Sequence, residues 1–156
     1  MKLILTCEHA GNEIPEEYAP WFGEAPEELN SHRGYDPGAL DLFYTLRELA
    51  DFNLYHKESR LLVELNRSLH HPQLFSQFTK QLSRASKNAI LEEFYFPYRR
   101  EVEQQISDRI RAGEKVLHLS VHSFTPVLDG KKRHADIGLL YDPGRQEEKE
   151  FCSGFK

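Results

Sequence analysis

Val116-Leu117-His118-Leu119-Ser120-Val121-His122-Ser123 is the stretch that decides the fold. Its apolar residues, set without a break for turn formers, predict a buried strand from Val116 to Val121 that ends in an imidazole, His122. A second run ends the same way: Lys2 to Cys7 reads as a strand, and His9 follows it. In open α/β sheets ligands gather outside the carboxyl ends of the strands. Two strands that each finish in a histidine therefore point to a shared site at one edge of a sheet.

Working outward, Gly11 to Tyr35 is a long polar connection carrying Pro15, Pro20 and Pro26, and long connections in compact domains are often functional. Asp36-Pro37-Gly38-Ala39 predicts a helix start, with Asp36 as N-cap and Pro37 at the first helical position. Leu42, Leu46 and Leu49 carry that helix to Ala50. Phe52–His56 and Leu61–Leu65 read as strands, the second apolar on successive positions as in a sheet covered on both faces. Gln73–Leu82 is weakly helical, and Lys87–Phe94 is helical up to an interruption or restart at Pro97. Tyr98, Val102, Ile106 and Ile110 form one stripe of an amphipathic helix that stops at Gly113. Ile137–Tyr141 is a fifth strand, and Gln146–Phe151 opens a last helix. The order predicts one α/β domain over 1–156, with a mostly parallel or mixed sheet flanked by helices. A doubly wound sheet would continue past Lys156, so the chain is expected to be either capped by that helix or cut short.

The 156 residues suffice for one real core, and 39% apolar with 29% charged residues is an ordinary water-exposed composition. A net charge of −5 argues against a nucleic-acid partner, and no apolar run is long enough to span a membrane. The N-terminus has no signal-peptide pattern, and Cys7 and Cys152 make no disulfide framework, so a reducing cytoplasm is expected. Cys7 reads as a small buried hydrophobe rather than a nucleophile.

Two imidazoles, a carboxylate and an open fourth position form a common hydrolytic zinc arrangement, in which the metal lowers the pKa of water and polarises a carbonyl. His9 and His122 are the candidate metal ligands with Asp36 as the third; Glu8 and Glu13 compete for that third place. Asp36 reads equally as a plain N-cap, and the two readings can coexist. His32 is a substrate-binding candidate or a loop histidine. Asn66-Arg67 can grip a substrate carboxylate, Arg67 through two parallel hydrogen bonds; otherwise it is a surface arginine paired with Glu64 or another acid. Arg60 could stabilise an oxyanion or stand as a solvated charge. His70-His71 and His134 are set aside, because adjacent side chains diverge and Lys131–His134 reads as a basic loop tip.

The motifs Cys7–Pro15, Tyr35–Ala39, Arg60–Arg67 and Val121–Ser123, in this order, resemble the N-formylglutamate amidohydrolase family, a relative of the zinc carboxypeptidases. The resemblance implies a phosphorylase/hydrolase-like domain with His9 and His122 on zinc or another divalent ion, Asp36 at the acidic position, and Asn66-Arg67 as a carboxylate clamp. It implies hydrolysis of an N-formyl or N-acyl amino acid, a small carboxylate substrate. Arg60 would then hold the oxyanion, and Glu8 and Glu13 are the general-base candidates. Family members run on past Asp136-Ile137-Gly138, with further strands and a late glutamate like the carboxypeptidase base. By that likeness a chain complete at Lys156 would lack the base, and one cut short would continue into it. A non-catalytic binding remnant and a zinc carboxypeptidase are the alternatives.

Overall fold

The structure, a computed structural model, describes residues 1–23, 25–128 and 130–154. Met1–Phe124 and Thr125–Lys156 are separate compact units. In the first, strand β1 (Lys2–Cys7) lies between β2 (Phe52–Tyr55) and β3 (Val116–Ser120), parallel to both. Ile4 pairs with Phe52 on one side, and Lys2 with Val116 on the other. Ile4, Leu5, Thr6 and Cys7 are all buried, as expected of a central parallel strand covered on both faces. The α/β reading, with helices flanking a parallel sheet, is borne out.

After a short helix α1 (Pro26–Leu29), α2 (Ala39–Leu46) packs on β1, where Ala39 and Phe43 meet Leu5, Cys7 and Val121. Beyond it, α3 (Arg84–Ile90) runs through a wider π turn at Leu91–Tyr95 into α4 (Phe96–Arg111), which touches β1 and β3. Ser83 caps α3 by accepting from the Ser86 N–H at 3.1 Å. Pro97, which has no N–H to give, sits in the first turn of α4, so the helix restarts there instead of ending. Tyr98 and Val102 bury their side of the expected stripe, while Ile110 is exposed.

Several elements differ from expectation. α2 begins at Ala39, not Pro37, and its N-cap is Gly38 at φ +80°, with no capping side chain. Asp36 is therefore not the cap; its carboxylate turns into the site described below. Leu61–Leu65 is buried throughout but is no strand. Hydroxyls replace a strand neighbour there: Ser76 Oγ donates to the Leu61 carbonyl at 2.5 Å and Thr79 Oγ1 to that of Leu62 at 3.1 Å. A continuous apolar run looks the same in both cases, because burial and not pairing sets its pattern. Gln73–Leu82 forms successive turns rather than a helix, which presents those two hydroxyls.

In the second unit Ile137–Tyr141 is not a strand, and Ile137 and Leu140 are exposed. Its regular elements among the described residues are a two-residue antiparallel pair, β4 (Val127–Leu128) with β5 (Lys131–Lys132), and α5 (Gln146–Ser153), where a helix opening was expected. Among the described residues no helix is long and apolar enough to cross a membrane.

One close approach ties the long connection to the core. The Gly34 carbonyl accepts from the Arg60 N–H at 3.2 Å and from Ser59 Oγ at 2.8 Å. A Cβ built on Gly34 would lie 2.2 Å from the Leu29 carbonyl oxygen. Backbone cannot swing aside as a side-chain tip can, so Gly34→Ala should destabilise the protein by roughly 1–3 kcal/mol or more. A chemical-denaturation midpoint equal to wild type would show that this approach relaxes freely.

Candidate metal centre

Three backbone bonds bring the site together. The Val121 N–H donates to the Thr6 carbonyl at 2.7 Å, which carries His122 just past the end of β3 to the end of β1. The Ala10 N–H reaches the His56 carbonyl at 3.1 Å, fixing the turn that holds His9. The Asp36 N–H donates to the His9 carbonyl at 3.0 Å, so the long connection delivers its carboxylate to the same point.

Both imidazoles turn Nδ1 toward one oxygen of Asp36. Asp36 Oδ2 lies 3.3 Å from His9 Nδ1 and 2.8 Å from His122 Nδ1, and the ring centroids are 4.8 Å apart. One ligand atom from each of His9, Asp36 and His122 falls within 4.8 Å of the others. His9 and Asp36 are buried, and His122 is half-buried.

The partners of each ring decide which nitrogen is left for a ligand. His9 Nε2 lies 2.5 Å from Glu64 Oε1 and Nδ1 lies 3.3 Å from Asp36 Oδ2; carboxylates only accept, so both nitrogens donate, and an ion at the centre would take the place of the Nδ1 proton. His122 Nε2 lies 2.8 Å from Ser120 Oγ, whose hydroxyl donates onward to Glu8; the Glu8 carboxylate is itself 3.4 Å from that nitrogen. The hydroxyl oxygen then accepts from His122 Nε2, and Nδ1, 2.8 Å from Asp36 Oδ2, is the nitrogen an ion would take. Two histidines held by carboxylates on their outer nitrogens, with inner nitrogens converging on a third carboxylate, form a donor set that fits a tetrahedral divalent ion.

The electrostatics follow from the same contacts. Burial alone would raise the carboxyl pKa values. Hydrogen bonds from His122 and His9 reverse that for Asp36 and hold it well below the usual range. Glu64 is brought down to about 2 by His9 and the Arg60 charge against the same burial. His9 is pushed up: burial opposes its charge, but Asp36 and Glu64 outweigh it. Glu8 is lowered despite burial by the hydroxyls of Ser120 and Thr6 and by His122.

The other residues expected at the site are placed as follows. Arg60 is committed to carboxylates: Nε and Nη2 donate to Glu64 Oε2 at 2.8 and 2.5 Å, and Nη1 to Asp36 Oδ1 at 3.4 Å. Asn66 reaches the cluster, with Nδ2 3.4 Å from His122 Nε2. Glu8 is buried beside it and accepts from the Tyr98 hydroxyl at 3.1 Å. Arg67 is exposed, and its carbonyl accepts from Tyr95 OH at 2.7 Å. His32, half-buried in the turn after α1, makes no hydrogen bond to the cluster among the described residues. Glu13 lies away from it, 64% exposed and 4.0 Å from Lys57 Nζ.

Sequence reasoning missed Glu64 as a partner of His9, and missed Ser120 and Tyr98 as partners of Glu8. The signal for Glu64 was present: a carboxylate inside the buried run Leu61–Leu65, four residues after Arg60, has to find a charged partner.

This donor set lies at the carboxyl ends of parallel strands on an α/β scaffold, a candidate metal centre. The sequence model of the N-formylglutamate amidohydrolase family matches residues 1–154. No curated protein matches the chain. The crystal structure of gene product Atu2144 from Agrobacterium tumefaciens superposes with a TM-score of 0.80 at 33% identity, covering 91% of this chain and 60% of that one. The chain thus spans about 60% of the length of that relative. It belongs to the N-formylglutamate amidohydrolase family.

Proposed function

We propose that His9, His122 and Asp36 hold one divalent ion, zinc first, and that the protein hydrolyses the acyl amide of N-formylglutamate or a related N-acyl amino acid. The observation that carries this reading is the convergence of both Nδ1 atoms on Asp36 Oδ2. Family membership supports the reaction class. A bound zinc would supply Lewis-acid polarisation of the acyl carbonyl and a water of lowered pKa.

The chain's own residues do the positioning. Glu64 and the Ser120–Glu8 pair keep the outer nitrogens of His9 and His122 protonated and the rings aimed inward. Arg60 grips Glu64 and Asp36 and so fixes two carboxylates at once; in this reading it is a positioning residue, not an oxyanion donor. Asn66, beside His122, and Arg67 next to it bind the α-carboxylate and hold the amide at the centre. One observation favours ligand binding without turnover: Glu8 is occupied by two hydroxyls and Glu13 lies away from the centre, so neither offers a free base.

The deciding experiment is elemental analysis of the purified protein together with an N-formylglutamate assay. One zinc per chain and equal amounts of formate and glutamate are expected. Stabilisation by N-formylglutamate without product would select the binding reading, and absence of both metal and binding would remove the proposal.

A further inference from the structure

We propose that Tyr98, on α4, is a positioning residue for the metal centre: acting through Glu8 and Ser120, it fixes which nitrogen of His122 is offered to the ion. The inference rests on the metal-binding reading above and adds the helix that controls it.

The route runs through three hydrogen bonds. The Tyr98 hydroxyl donates to Glu8 Oε1 at 3.1 Å. The other carboxylate oxygen, Oε2, accepts from Ser120 Oγ. Ser120 Oγ in turn lies 2.8 Å from His122 Nε2. A serine hydroxyl has one proton to give. While that proton goes to Glu8, Ser120 can only accept from His122, so a neutral imidazole carries its proton on Nε2 and offers Nδ1 to the ion. Should Glu8 turn away, the same hydroxyl is free to donate to Nε2. The single ring proton then sits on Nδ1, where Asp36 Oδ2 accepts it at 2.8 Å, and the nitrogen an ion needs is blocked. Tyr98 prevents that turn by holding the far oxygen of the carboxylate.

Tyr98 is itself held. The residue is buried, and its ring meets that of His56 nearly edge-on, with 5.7 Å between centroids. The π turn at Leu91–Tyr95 precedes it, and such turns often occur at functional sites. A π turn takes in an additional residue, so Phe94 and Tyr95, neighbours in sequence, are both buried, and Tyr98 and Val102 continue the covered face. Tyr95 provides the contrast on the same helix face: its hydroxyl donates to the Arg67 carbonyl at 2.7 Å and does not enter the route through Glu8 and Ser120.

The test is competition for zinc between a chromophoric chelator and the full chain, read for wild type, Tyr98→Phe, Tyr95→Phe, Ser120→Ala and the double variant Tyr98→Phe with Ser120→Ala. Each tyrosine variant keeps its ring and loses one hydroxyl, so a general softening of α4 would weaken both alike. Tyr98→Phe should lower zinc affinity by roughly 10-fold, the weak end of the range for outer partners of metal ligands. Tyr95→Phe should stay within about 2-fold of wild type. Where Ser120→Ala has already cut the route, adding Tyr98→Phe should cost less than about 2-fold more. Wild-type affinity in Tyr98→Phe, equal losses in the two tyrosine variants, or a full loss that persists without the Ser120 hydroxyl overturns the positioning role and leaves the metal centre standing. Ser120 is exposed, so Ser120→Ala tests the route even where Tyr98→Phe does not fold, and wild-type affinity in that variant also overturns it. A wild-type chain that binds no zinc overturns both readings.

Discussion

Alanine at position 122 is expected to leave the folded protein without stoichiometric zinc. Among the described residues His122 supplies one of three candidate donor atoms, and hydrolytic zinc sites rest on three protein ligands. The remaining pair, His9 and Asp36, would offer two donors to an ion that seeks four. The fold should survive, because the side chain is 30% exposed and lies outside both apolar clusters. Elemental analysis after gel filtration, with a thermal melt of the same sample, checks both halves. Zinc at wild-type occupancy in the variant would remove His122 from the ligand set.

Glu64→Gln should have the next largest effect, and through two routes. The carboxylate fixes the proton on His9 Nε2, and loss of such an outer partner weakens metal binding by roughly 10–100-fold. It also pairs, itself buried, with the half-buried Arg60, so stability should drop by about 3 kcal/mol at neutral pH. The second route depends on pH. Glu64 titrates near 2 in the folded protein against an ordinary value of 4.5, so the unfolded chain binds the extra proton between these limits. Its contribution is fully present above pH 4.5 and is lost as pH falls toward 2, about 3 kcal/mol in all. The gap between wild type and variant in denaturant titrations should therefore close over that window. A gap that stays constant on acidification would mean that the Glu64 charge contributes nothing to stability.

The parts of this molecule that were legible in the sequence share a physical property. β1 is a run whose burial and pairing coincide; β3, expected to be buried, is an edge strand only half-buried, with His118 and Ser120 exposed, yet its ladder and the histidines after both strands fell where strand ends fall. Leu61–Leu65 broke that agreement, because Ser76 and Thr79 satisfy its carbonyls from a distance that no local pattern encodes. Once it was read as a strand, Glu64 looked like a surface partner for Arg67 and not a buried one for His9. Asp36 was legible as a polar residue before a helix; its true partners arrive from positions 9, 60 and 122 and depend on the tertiary fold. Asn66 and Arg67 are neighbours in sequence and both exposed, yet among the described residues Asn66 alone of the two contacts His122.

The grip of Arg60 on two acids has a consequence in net charge. Within this small volume Asp36, Glu64 and Glu8 bring three negative charges, and Arg60 offsets one. The two negative charges left over equal in size the charge of a divalent ion. Protons are the rival currency for filling that deficit, and the raised affinity of His9 for one shows where they would go. Uptake of the ion must then expel acid into the medium, and a more alkaline buffer should tilt that competition in its favour.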